Sequence, residues 1–134
     1  MHDTSISKKT VYISRRARFN AAHKLYNPDW SDEKNHEVFG KCANANWHGH
    51  NYELHVTVMG VPNDDTGYCM DMKTLSDLIK EFVEEPLDHK NLNLDVPWMK
   101  GKRASTENLI IEIWNQLEKP IQEHNCALHK IRLY

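Results

Sequence analysis

The chain reads as an α+β protein in which an antiparallel sheet carries two helices on one face. Three observations predict this. Alternating apolar residues mark strands around Val11, Tyr52 and Ile131. Apolar spacing of three and four marks one helix after Asp71 and another after Ser105. The order strand, strand, helix, helix, strand lacks the regular strand-helix alternation of a parallel sheet.

Each element has a local cause. Met1 to Lys9 are polar and mostly small, which predicts an unstructured leader. From Thr10, the residues Val11, Ile13 and Ala17 alternate with polar neighbours, so a strand is expected to run through Phe19 toward His23. The stretch from Tyr26 to Cys42 mixes Asn27-Pro28, a charged run and Gly40, and predicts mainly a loop, with at most a short helix between Ser31 and Phe39. The clearest strand covers Tyr52 to Met59, with Tyr52, Leu54, Val56 and Val58 on one face and His48 and His50 at its entrance.

Turn residues from Pro62 to Gly67 then predict a reversal, with a short returning strand at Tyr68 to Met70. Asp71 is placed to cap a helix whose stripe is Leu75, Leu78, Ile79, Phe82 and Val83, and Pro86 is expected to end it. Ser105 or Thr106 starts the second helix. Glu107 suits its positive end, Leu109, Ile110, Ile113, Trp114 and Leu117 form its stripe, and Pro120 should kink or end it. His129, Ile131 and Leu133 alternate with Lys130 and Arg132 as a last strand. The edges of so small a sheet favour oligomerisation.

With 134 residues, 40% apolar and 27% charged, the sequence predicts a single domain over residues 1–134 with a packed core. A net charge of -2 gives no global reason to expect nucleic acid or a membrane surface as a partner. No apolar run approaches the roughly 20 residues needed to cross a bilayer. Three cysteines, Cys42, Cys69 and Cys126, make no even framework, and the N-terminus lacks a signal peptide's apolar core, so a cytoplasmic setting is expected.

Nine histidines are the compositional oddity, because imidazole is both a common zinc ligand and a proton shuttle near neutral pH. His48 and His50 flank Gly49 at the strand entrance, so on an extended segment they project the same way. Alone, His-x-His is a weak signal. A catalytic zinc takes three protein ligands and keeps a position open, so a further donor is required. His23, after a strand and two alanines, is the leading candidate; Cys42, six residues before His48, is another, or a thiolate base. Asp88-His89 could be a carboxylate orienting an imidazole for proton transfer, or an ordinary loop pair.

Taken together, Phe19-Asn20-Ala21-Ala22-His23, Phe39-Gly40-Lys41-Cys42, His48-Gly49-His50-Asn51-Tyr52, Leu87-Asp88-His89-Lys90-Asn91-Leu92-Asn93 and Ser105-Thr106-Glu107-Asn108 closely resemble the 6-pyruvoyltetrahydropterin synthase family, over about Ser14 to Tyr134. The resemblance implies a T-fold whose subunits build barrels, typically a hexamer of two trimers. It also implies zinc on His23, His48 and His50, with Cys42 as proton acceptor and Asp88 with His89 in a relay. Ser105, Thr106 and Glu107 align with the pterin pocket, and serve equally as a helix cap and first-turn acid.

The implied reaction is conversion of 7,8-dihydroneopterin triphosphate to 6-pyruvoyltetrahydropterin with loss of triphosphate. Five residues between Cys42 and His48 resemble the tetrahydrobiopterin branch. The alternatives are 6-carboxytetrahydropterin synthase of the queuosine route, whose members more often carry a shorter spacing, and a zinc- and pterin-binding relative without turnover. Family members continue past the last-strand Leu-Tyr with a pterin-anchoring glutamate. Here that residue would follow Tyr134.

Overall fold

A computed structural model describes residues 9–43 and 48–134, without the side chain of His48. The expected leader lies outside the described residues apart from Lys9. Four strands form one open sheet in the order β3-β1-β2-β4: β1 (Val11–His23), β2 (His48–Gly60), β3 (Lys90–Asn91) and β4 (Ala127–Leu133). β1 and β2 pair antiparallel along their whole length, from Val11 opposite Gly60 to His23 opposite His48. β4 adds antiparallel to β2, whereas the two-residue β3 runs parallel to β1 at Ala21 and Ala22.

The alternation expected from the sequence becomes the inner face. Ala17, Phe19 and Ala21 of β1 and Tyr52, Leu54, Val56 and Val58 of β2 are buried in one core. Two helical segments cover them. α2 (Met72–Ile79) brings Leu75 and Ile79, continues through a π-type turn at Lys80–Glu84 into α3 (Glu85–Leu87), and Asp71 caps it by accepting from the Lys73 amide at 2.9 Å. α4 (Thr106–Gln122) brings Leu109, Ile113, Leu117 and Ile121. The outer face is polar there: Arg18, opposite Glu53, bonds its carboxylate at 3.2 Å, and His55 bonds it at 2.9 Å.

Several expectations change in detail. Residues 68–70 form no strand, because both sides of β2 are already taken by β1 and β4; Asn63 instead closes a turn, accepting from the amides of Asp65 and Gly67. The helix ends at Pro86 to within one residue, as expected. Pro86 itself sits inside α3, and the wider turn just before it accommodates a residue that has no amide and whose ring crowds the carbonyl four positions back. Pro120 likewise lies within α4, which runs two residues further to Gln122. In β4 a register shift leaves His129 unpaired between Lys130, opposite Thr57, and Leu128, opposite Val58. Leu128 rather than His129 therefore joins the core.

The polar stretch after Asn27 does form a helix, α1 (Asp32–Phe39), capped by Ser31. Its apolar content is too low to explain this by packing. The buried Asn35 side chain explains it: the amide nitrogen donates to the carbonyls of Asn27 and Ser31, and the oxygen accepts from the Asn27 amide at 2.6 Å. Gly40, at φ +58°, ends α1 in a conformation that L side chains rarely adopt, and a 3₁₀ turn (Gly40–Ala43) follows. Among the described residues no helix is long and apolar enough to cross a membrane.

Gly60 closes the end of β2 farthest from the histidines. A Cβ there would lie 2.8 Å from the Asn125 carbonyl oxygen and 3.0 Å from the Cβ atoms of both Cys69 and Cys126. Two chain segments thus pack directly on its backbone. Gly60→Ala should lower stability by about 1–3 kcal/mol through overpacking, read as a lower urea midpoint with an unchanged denaturant slope.

Candidate active site

The β1-β2 pairing ends on histidines. His23 stands opposite His48, and His50, two residues on, stands opposite Ala21. The His23 and His50 rings meet edge to face with centroids 4.5 Å apart. His23 is buried, at 5% exposure, and its Nδ1 lies 2.7 Å from the Ala104 carbonyl oxygen. A carbonyl only accepts, so Nδ1 carries a proton, and Nε2 is the ring atom through which a metal would be bound. That second bond to a backbone oxygen is how metal-ligating imidazoles are held. Among the described residues no group of three His, Cys, Asp or Glu side chains gathers to hold a metal; the His48 ring lies outside them.

Three stretches of chain bring the remaining groups to these rings. A cavity of about 330 Å³ is lined by His23, Leu25, Cys42, His50, Asn51, Tyr52, Ser105, Thr106, Glu107 and Tyr134. Cys42 is fixed there by its own backbone, whose carbonyl accepts from the Leu25 amide at 2.7 Å, two residues beyond His23. Ser105 caps α4, accepting from the Asn108 amide at 3.2 Å, while it also faces the cavity. Ser105 thus serves as the helix cap and lines the cavity at once. The helix end turns its unpaired amides and positive dipole end toward this region.

The wall also holds a residue that the periodicity assigned only to the core. Tyr52 stacks on Phe19, with ring centroids 5.1 Å apart and planes 20° apart. Its hydroxyl is buried with no hydrogen-bond partner among the described residues. Burial pushes its phenol up to about 12, and the charge of Cys42 acts in the same direction. A tyrosine where phenylalanine would pack as well was the available sequence signal.

A match to the family model described as "6-pyruvoyl tetrahydropterin synthase" spans residues 12–134. The chain belongs to this family. It is 43% identical over 122 residues to the 6-pyruvoyl tetrahydrobiopterin synthases of Pongo abelii and Homo sapiens, covering 91% of this chain and 83% of each relative. The solved Caenorhabditis elegans 6-pyruvoyl tetrahydropterin synthase superimposes with a TM-score of 0.84 at 31% identity, covering 96% of this chain and 90% of that one. A 6-carboxy-5,6,7,8-tetrahydropterin synthase of Rickettsia bellii is 32% identical over 79 residues, covering 59% of this chain and 49% of the relative.

In this member of the 6-pyruvoyl tetrahydropterin synthase family, Asp88 and His89 do not line the cavity that holds Cys42. They lie along the edge of β1 that β3 joins. Asp88 lines a separate cleft with Arg18, Lys80, Glu84, Glu85 and Lys90. One of its oxygens accepts from the Asn20 amide at 2.8 Å and the other lies 3.0 Å from His89 Nδ1. The His89 amide donates to the Asn20 carbonyl, and Asn93 brackets Lys24, accepting from its amide and donating to its carbonyl at 3.0 Å each. The run from Asp88 to Asn93 is therefore laced along the end of β1, leaving the His89 ring 81% exposed beside its carboxylate.

The Asn20 amide is the main cause that holds the Asp88 carboxyl below its usual range, with His89 adding to it. A depressed carboxyl contributes stability that is present above the unfolded value, near 3.9, and lost as pH falls through the folded value. The urea midpoint of the wild type should exceed that of Asp88→Ala at pH 6, and the gap should close below about pH 4. A gap independent of pH would remove the carboxylate from the account.

Proposed function

We propose that the chain is a zinc-dependent 6-pyruvoyltetrahydropterin synthase, which converts 7,8-dihydroneopterin triphosphate to 6-pyruvoyltetrahydropterin and eliminates triphosphate. The observation that carries this reading is the single cavity that collects His23, Cys42, His50, Ser105, Thr106 and Glu107 from four stretches of chain. Family membership and the 43% identity to relatives named for that activity support it.

His23, His48 and His50 would hold the zinc. The donor set fits: His23 is fixed through Nδ1, His50 is in ring contact with it, and His48 sits at the facing register position, while three imidazoles leave one position open. When bound, the ion supplies Lewis-acid polarisation of the substrate's side-chain hydroxyls. The chain's own groups do the rest. The Ser105 and Thr106 hydroxyls and the Glu107 carboxylate hydrogen-bond the pterin nitrogens, which fixes the ring so that its side chain reaches Cys42. The Cys42 thiolate takes a carbon-bound proton, and His89, steadied by Asp88, returns protons as triphosphate leaves. The hydroxyls become carbonyls by tautomerisation, so no external redox cofactor is involved.

This assignment calls for more than one copy, because Asp88 and Cys42 line different clefts of one chain. The barrel-forming homohexamer of two trimers supplies the second copy. Two features support assembly. Residues 11–20 of β1 have no strand on the side away from β2 among the described residues, and neither does β4. Beside β4, Ile110, Ile111, Trp114 and Ile131 line an apolar groove, with Ile111 55% exposed. The setting proposed for the assembled enzyme is the cytoplasm.

Cys42→Ala should abolish turnover of dihydroneopterin triphosphate while zinc content and melting temperature persist; unchanged turnover would sink the proposed base. Mass analysis of the wild-type product should show the 6-pyruvoyl compound, and release of acetaldehyde would move the chain to the 6-carboxy reaction. Mixing unfolded Cys42→Ala and His89→Ala chains and refolding them together should restore part of the lost activity. No recovery would confine each site to a single chain.

A further inference from the structure

We infer that Cys69 and Cys126 are a disulfide-forming pair, which a small-molecule disulfide such as oxidised glutathione converts into a bond joining the segment after β2 to the residue before β4. Neither thiol lines the cavity that holds Cys42. Gly60 is where the two meet. A Cβ on Gly60 would lie 3.0 Å from the Cβ of Cys69 and 3.0 Å from the Cβ of Cys126. Two atoms that close to one point are no more than about 6 Å apart, a range that includes the roughly 3.5–4.5 Å spanned by a disulfide. Gly60 is not among the glycines with a positive φ, so its backbone conformation does not call for glycine. Space does, since a side chain there would press on both cysteines.

Neighbouring hydrogen bonds hold the two segments in place. The Asn125 side-chain amide donates to the Val61 carbonyl at 3.3 Å, and the Asn63 amide donates to the Tyr68 carbonyl at 3.0 Å, just before Cys69. Cys69 is buried, at 4% exposure, and Cys126 is half-buried. Burial pushes the Cys126 thiol up to about 11, and the charge of Cys69 acts in the same direction, so the sulfurs lie within electrostatic reach of each other. A small apolar filler explains one cysteine; it does not explain two side by side on a glycine.

The more accessible Cys126, as thiolate, attacks one sulfur of oxidised glutathione and expels a glutathione thiolate, which takes up the proton that Cys126 lost. Cys69, as thiolate, then attacks the Cys126 sulfur of the mixed disulfide and expels the second glutathione, which is protonated in turn. Two protein thiols lose two electrons, and one glutathione disulfide gains them to become two thiols. With its thiol raised, Cys126 is mostly protonated near neutrality, so the pair reacts slowly and stays reduced until the surrounding thiol pool turns oxidising. The ring that closes runs from Cys69 to Cys126 and contains α2, α3 and α4. It ties both helical segments to the sheet at the end opposite the histidines, and so acts on stability.

The test incubates the full wild-type chain with oxidised glutathione at about pH 8.5, where more thiolate is present. Peptide mass without reductant should find the Cys69 and Cys126 peptides joined within one chain. The melting temperature should rise by roughly 5–15 °C and return to its starting value on reduction. Cys126→Ser treated in the same way should show no such rise. Glutathione left on Cys126 without a cross-link, a bond from either cysteine to Cys42 or to another chain, or a rise in melting that survives in Cys126→Ser would each overturn the inference.

Discussion

The thirteen-residue antiparallel pairing of β1 with β2 is the constraint on which the rest of the molecule depends, because it fixes two things with one register. At every second position it turns Ala17, Phe19, Ala21, Tyr52, Leu54, Val56 and Val58 into the core, and at its last step it sets His23 opposite His48 with His50 beside them. A slip of one residue would turn both sets to the other face together. The core therefore guards the histidine geometry: a register that misplaces the histidines also exposes the apolar face, at far greater cost than any loop could impose.

Around this frame, single side chains hold segments that lack regular structure of their own. Asn35 pins the chain from Asn27 to α1, and the Cys42 carbonyl is then tied to Leu25. Asn93 and Asp88 clip the segment after α3 onto β1. Ala104, immediately before α4, holds His23 by a carbonyl. The clips from Asp88, Asn93 and Ala104 join residues far apart in sequence, and every clip ends within a few residues of His23. At the opposite end of the sheet close packing adds to the hold, as around Gly60.

Much of this was legible in the sequence for a simple reason. Period-two and period-four apolar patterns record burial directly, so β1, β2, α2 and α4 and their inner faces follow from Val11, Leu54, Leu75 and Leu109 and their neighbours. Resemblance to the family's motifs pointed to His23, Cys42 and Ser105, which the fold brings to one cavity. What was not legible depends on three-dimensional neighbours. Residues 68–70 resemble a strand, but β2, which they would return along, has both sides taken, and His129 fits the alternation but falls on a bulge. The separation of Asp88-His89 from Cys42 depends on where each is held along β1 and the chain that follows it, and no local pattern encodes it.

His89 adopts φ +58°, a left-handed backbone that is uncommon for a side chain other than glycine. The turn brings its amide to the Asn20 carbonyl and sets its ring beside Asp88. Glycine would hold that turn with less strain and would lack the imidazole. Stability and chemistry thus favour different residues at one position. A search for more robust variants of this protein, guided by folding alone, would be drawn to replace the very histidine proposed to handle protons.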